Sequence, residues 1–262
     1  MTSLPPAVLP GRRVLSLTGP DTVSFLQNLL TANVARLSPG EATHAALLTP
    51  QGKVLCAFFV HRTEEGVLLD LPPGQDAAIG QRLGLYKLRA KVQIEARGDL
   101  AVHVGDEGPD GAVTDPRLPA LGKRWLAGPA APESDAGYDA RRLDLGVPEF
   151  GRDYEAGAVF PMDVNLDALG AVDYKKGCFV GQEVASRMFR KGEVRKRSWQ
   201  VRGDALAPGA PVTAGGSTLG EVTSTRDGVG LALLRVDRVA AAAEPPMCGD
   251  DPVTLTPPSY LP

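Results

Sequence analysis

The chain has 262 residues, 43% hydrophobic and 23% charged, with a net charge of −3 at neutral pH. That length supports two or three compact units with cores of their own, and no apolar run reaches the roughly 18 residues of a membrane-spanning helix. The opening MTSLPPAVLPGRR places its arginines after the apolar residues and lacks a continuous apolar block, which argues against a secretory leader and leads to the expectation of a cytoplasmic protein.

VLSLTG (14–19) reads as a strand, and Asp21 as the N-cap of a helix carrying Phe25, Leu26, Leu29 and Leu30 on one face. THAALLTP and KVLCAFFVHR, joined by a short turn at 50–52, then VLLDL, read as a three-stranded meander. Its alternation is imperfect, which points to burial on both faces. DAAIGQRLGLYKL has helical spacing, AKVQIEARG and LAVHVG read as strands, and a loop-rich stretch leads to KRWLAG. GPAAPESDAG reads as a linker and YDARRLDLG as a short helix ended by Gly146. From Trp199 the pattern changes to short β-type runs separated by Gly, Pro and Asp, the mark of a small closed or sandwich-like β module. The chain thus divides into an α+β region (1–130), a second α+β segment (131–197) and a β module (198–262).

Chemistry concentrates in KKGCFVGQEVASRM, residues 175–188. Residues 175–197 hold eight Lys or Arg against two Glu, a net of +6, which leaves −9 on the rest of the chain. Such a basic segment suits an anion: a phosphate, a polycarboxylate tail or RNA, the last reading resting on residues 189–197. A helix is expected to open at Gly181 or Gln182, stop at Gly192, and place Glu183 one turn from Arg187, where the two can pair. Cys178 falls just ahead of that helix, where free N–H groups and Lys175 and Lys176 favour a thiolate. It could be a nucleophile, a redox group, a soft-metal ligand or plain packing. With Cys56 and Cys248 it makes three widely spaced cysteines, so neither a disulfide framework nor a CxxC knuckle is available and no resident metal is expected. Asp163, Asp167 and Asp173 could serve as acids or bases, although Asp and Asn in such settings commonly cap helices, as Asn165 or Asp167 would. GDEGPDG lacks the spacing of a calcium loop and reads as a turn. Serine-hydrolase, zinc-peptidase, P-loop and dinucleotide motifs are missing.

The same stretch closely resembles the K-G-C-[FY]-x-G-Q-E signature of the YgfZ-type folate-binding proteins, relatives of the glycine cleavage T-protein. NLDALGAVDYKKGCFVGQE is similar over its whole length, RRLDLGVPEFGRD resembles the R-[LI]-x-x-G-x-P segment, and SLTGPDTVSFLQNLLTANVARLSPGEATHAALLTPQGKV resembles the N-terminal domain. The resemblance implies an aminomethyltransferase-like α+β fold, multi-domain, arranged as a ring with a C-terminal β-barrel. It further implies binding of tetrahydrofolate, support of iron–sulfur cluster assembly or repair, and, through cluster enzymes, an indirect link to tRNA modification. A monomer without membrane contact is expected, with iron–sulfur enzymes or assembly factors as partners. Cys178 is then a candidate functional thiol. Asp144, Lys176, Gly177, Gly181, Gln182, Glu183 and Arg187 are the candidate folate-side residues, with Arg187 holding Glu183. The T-protein's GG-[IL]-[LV]-D-D carries its catalytic aspartate, whereas GKVLCA (52–57) has Cys56 and Ala57 there, so ordinary aminomethyl transfer is not implied. A one-carbon transferase with a displaced acid, Asp163 or Asp173, is the alternative, and whether any reaction is catalysed stays open. Asp144 stands where the T-protein has the pterin's glutamate, one methylene shorter.

Overall fold

A computed structural model describes residues 3–191 and 194–262. Its helices are α1 (Thr22–Leu29), α2 (Asp76–Lys87), α3 (Ala136–Asp144), α4 (Gln182–Lys191) and α5 (Val236–Ala241). The stop expected for α4 at Gly192 lies outside the described residues.

The meander forms as its alternation suggests: Ala42–Leu48, Val54–Arg62 and Gly66–Leu71 pair antiparallel, and Arg13–Thr18 and Gln93–Ala96 extend them to a five-stranded sheet. Both faces of Val54–Arg62 are covered. Cys56, Phe58 and Val60 enter the first core, while Phe59 lies beneath guanidinium groups, that of Arg124 at 3.9 Å from the ring centroid. Helix α1 closes this core with Phe25, Leu26 and Leu29. Asp21 precedes it but makes no side-chain cap; its carboxylate accepts the Lys91 N–H at 2.7 Å and ties the helix start to the chain entering Gln93–Ala96. Each fully buried Leu or Phe here contributes on the order of 1.5–3 kcal/mol.

The division expected at residue 130 does not separate cores. Phe150, Tyr154, Val164, Phe179 and Ala185 pack into the same core as Leu17, Leu47 and Phe58. The irregular stretch between α3 and α4 is bound along the sheet, with Gly157 N–H on Val54 O at 2.7 Å and Val54 N–H on Val159 O at 2.9 Å. A second core, including Leu9, Val102, Leu121 and Tyr138, lies with a four-stranded sheet of Ala7–Val8, Ala101–Gly105, Lys123–Ala127 and Val113–Thr114.

The C-terminal module is a seven-stranded antiparallel sheet that begins at Lys196, with Val201, Val212, Val222, Leu234 and Val253 in its interior. It docks on α3. Gln200 Nε2 donates to the Leu143 and Asp144 carbonyls at 3.0 and 2.8 Å, at the C-terminal end of the helix, where carbonyls run short of intrahelical donors. Gly146 ends α3 as the pattern implied, at φ +72°, and a Cβ there would stand 2.6 Å from Pro258.

Candidate functional site

The 171–191 stretch is held at two places and open between them. At its start Thr31 Oγ1 donates to Ala171 O at 2.6 Å, Asp173 N–H to Thr31 O at 3.0 Å, and Asn33 Nδ2 to the Asp173 carboxylate at 3.1 Å. Lys176 Nζ donates to Gln27 O and, at 2.9 Å, to Ala32 O. Burial lowers its ammonium to about 8, with Asp173 pulling it back up. The second hold is Gly181. At φ +78° its Cα faces the Thr49–Gly52 turn so closely that a Cβ would meet Thr49 O at 2.4 Å. Gly52 reciprocates, since its own Cβ would fall 3.1 Å from Val184. Glycine at 181 therefore serves close backbone packing.

Cys178 lies between the two holds and is exposed, whereas Cys56 and Cys248 are buried. Gly177, at φ +103°, has open space where a side chain would be. The helix starts at Gln182, four residues beyond Cys178, and no hydrogen bond reaches the sulfur among the described residues. The thiol thus lies outside the first turn, where the dipole acts most strongly.

Glu183 and Arg187 are both exposed, and the pair expected between them does not form among the described residues. In water a one-turn pair gains only a few tenths of a kcal/mol, too little to order two long side chains. They line, with Gln182, Ser186 and Arg190, an open hollow of about 460 Å³. Asp144 turns the other way: its carboxylate accepts from Arg202 at 2.8 Å on the face of the β module. Among the described residues no hydrogen bond or ion pair joins it to residues 176–187. The acids kept for a displaced transferase are likewise engaged, Asp163 by the Phe160 N–H at 2.9 Å and Asp173 by Asn33 and the Lys175 N–H. Burial raises Asp163 above the usual carboxyl range.

Local pattern gave no sign of the densest polar feature, a buried ion network between the sheets and α3. Asp70, 0% exposed, accepts from Arg12 at 2.5 Å and Arg124 at 2.7 Å. Arg12 continues to Glu149 at 2.8 Å, Arg142 bridges Asp139 and Asp153, and Arg117 pairs with Asp115 and reaches the Tyr138 hydroxyl. Beside it, a cavity of about 100 Å³ is lined by Arg12, Tyr138, Glu149 and Arg152. That is below the roughly 300 Å³ at which ligand pockets begin. Cys56 and Ala57, which the motif resemblance sets against the T-protein's acids, are 0% and 3% exposed, and burial pushes the Cys56 thiol up to about 12. The exposed guanidiniums of Arg187 and Arg190 suit an anionic tail.

Comparison with solved structures identifies the class first. The glycine cleavage system aminomethyltransferase T from Bartonella henselae superposes with a TM-score of 0.81 at 15% identity, covering 99% of this chain and 87% of that one. The fold is therefore the aminomethyltransferase-like α+β fold with a C-terminal β-barrel, and residues 195–262 match the CAF17 C-terminal beta-barrel domain. Among curated proteins, the iron–sulfur cluster assembly factor IBA57 of Homo sapiens is 32% identical, covering 88% of this chain and 77% of its own length. The homologue from Pyricularia oryzae is 30% identical over 96% of this chain and 78% of its own. The chain belongs to the IBA57 family of iron–sulfur cluster assembly factors. These relatives place the chain in the IBA57 family, with the aminomethyltransferase-like fold that the motif resemblance implied. The cytoplasmic expectation is also corrected: these relatives are named mitochondrial, and the opening residues had argued only against a secretory leader.

Proposed function

We propose that the chain supports iron–sulfur cluster assembly by offering Cys178 as a single thiolate ligand to a cluster whose remaining ligands come from a partner protein. The observation that carries this is the exposure of Cys178, alone among the three cysteines, on a loop held at both ends. Among the described residues no group of three or more His, Cys, Asp or Glu is placed to hold a metal ion, and one sulfur does not retain a cluster by itself. A partner therefore completes the site. Assembly-machinery proteins are the partners this reading implies, and any effect on tRNA modification passes through cluster enzymes. The test is Cys178→Ala, scored for cluster-enzyme activity in cells and for cluster-derived visible absorbance of the mixed proteins. Loss of both supports the reading, and full activity removes it.

Tetrahydrofolate enters as a separable ligand, supported by the motif resemblance and by the exposed guanidiniums of Arg187 and Arg190 on α4. Calorimetry decides it, and absence of saturable heat at high micromolar protein removes folate while leaving the thiol reading intact. RNA binding by the basic segment is not favoured. Arg197 turns inward, donating to Asp167 at 2.6 and 2.9 Å and to Met162 O, instead of facing a phosphate.

A further inference from the structure

The contact between residue 176 and α1 is reciprocal. Lys176 Nζ donates to Gln27 O and Ala32 O, and Gln27 Nε2 donates back to Lys176 O at 3.4 Å. Gln27 belongs to the last turn of α1, whose carbonyls have no partner within the helix. A compact ammonium with three donors can serve the Gln27 carbonyl and, three residues beyond the helix, the Ala32 carbonyl at once. Immediately afterwards the chain is unsupported: among the described residues Gly177 and Cys178 make no backbone hydrogen bond, and Gly177 occupies a left-handed conformation with open space around it. Phe179, 6% exposed, and Gly181 anchor the chain again.

We propose that Lys176 is the positioning residue for Cys178: its ammonium pins the chain to the C-terminal end of α1 one residue before the Gly177 swivel, and so sets where the thiol stands for its partner. This rests on the thiol reading above and assigns Lys176 to the protein's own scaffold rather than to a ligand.

The test uses the burial of Cys56 and Cys248, which directs a thiol-specific nitroxide to Cys178. Lys176→Met keeps the length of the side chain and removes the donors. Its label is expected to tumble at least about threefold faster than in the parent, and Lys176→Arg, which keeps donors, to return it to within about twofold. A control label at Leu85→Cys on α2, in a Cys178→Ser background, should not respond to Lys176→Met. A label as ordered in Lys176→Met as in the parent, in protein with unchanged circular dichroism, overturns the proposal. Should that variant fail to fold, Lys176→Leu, which also lacks donors, is read in the same way. Cluster-enzyme activity of Cys178→Ala is scored separately: a mobile label in Lys176→Met with full activity of Cys178→Ala keeps the clamp and removes the thiol reading, whereas an ordered label with lost activity of Cys178→Ala does the reverse.

Discussion

The buried ion network and the thiol loop handle charge in opposite ways. In the network every charge is answered by another charge: Asp70 by two guanidiniums, and Arg142 by Asp139 and Asp153. In the loop the half-buried Lys176 is answered by carbonyl oxygens, while Glu183 and Arg187 remain in water without pairing. The first arrangement joins strands, α3 and the loop at 149–153 into one frame, because a desolvated charge tolerates no missing partner. The second leaves a reactive group and a cationic face uncommitted. A frame that takes its charges inside can hold an open site still.

Breaking the frame should give the largest effect. Asp70→Ala leaves two buried guanidiniums short of a partner and is expected to cost about 3–5 kcal/mol, or on the order of 10 °C in melting temperature. A calorimetric midpoint within a degree or two of the parent would contradict it.

Acid attacks the same region more gradually. Burial pushes Glu149 up, but Arg12, Arg117 and Arg142 outweigh it and leave it at about 2; Asp115, buried beside Arg117 and Arg124, also stands at about 2. Both fall below their unfolded values of 4.5 and 3.8, so their contribution is complete above those values and disappears as the pH drops toward 2. His61, lowered by burial from 6.5 to about 4, adds a loss between those two values, because the unfolded chain takes up a proton that the folded chain refuses. Urea midpoints should therefore decline gently below neutral pH and steeply below about pH 4. A flat profile would show that the network does not hold the frame.

In the loop, Gly181→Ala forces a Cβ against Thr49 O in a left-handed conformation and is expected to cost roughly 1–3 kcal/mol. Urea unfolding checks this, and a change under about half a kcal/mol would show that the turn can yield. Smallest of all, Cys178→Ser should leave stability within about 0.5 kcal/mol while removing cluster-enzyme support, since nothing packs on an exposed sulfur. Loss of both together would mean that Cys178 is structural.

Much of the fold was legible in the chain itself. The meander, the buried face of α1, the Gly146 stop and the β module all follow from local apolar spacing and glycine placement, which act over a few residues. The packing across residue 130 has no local signal, because the stretch between α3 and α4 shows no regular period and is bound by partners more than ninety residues away, as in Gly157 N–H to Val54 O. The Glu183–Arg187 pair was expected from helical spacing alone, which permits contact but does not ensure it in water.

Motif and glycine pattern by themselves determined that residues 175–188 carry the candidate site, that a helix follows Gly181, and that a β module closes the chain. Only the tertiary structure decided that Cys178 is the exposed thiol, that Asp144 faces Arg202, that Lys176 is gripped by α1, and that five acids and four arginines lie paired inside. The physical reason is desolvation. Apolar period and backbone freedom are properties of a short segment, whereas the state of a charge or a thiol depends on which distant groups fold over it and shut out water.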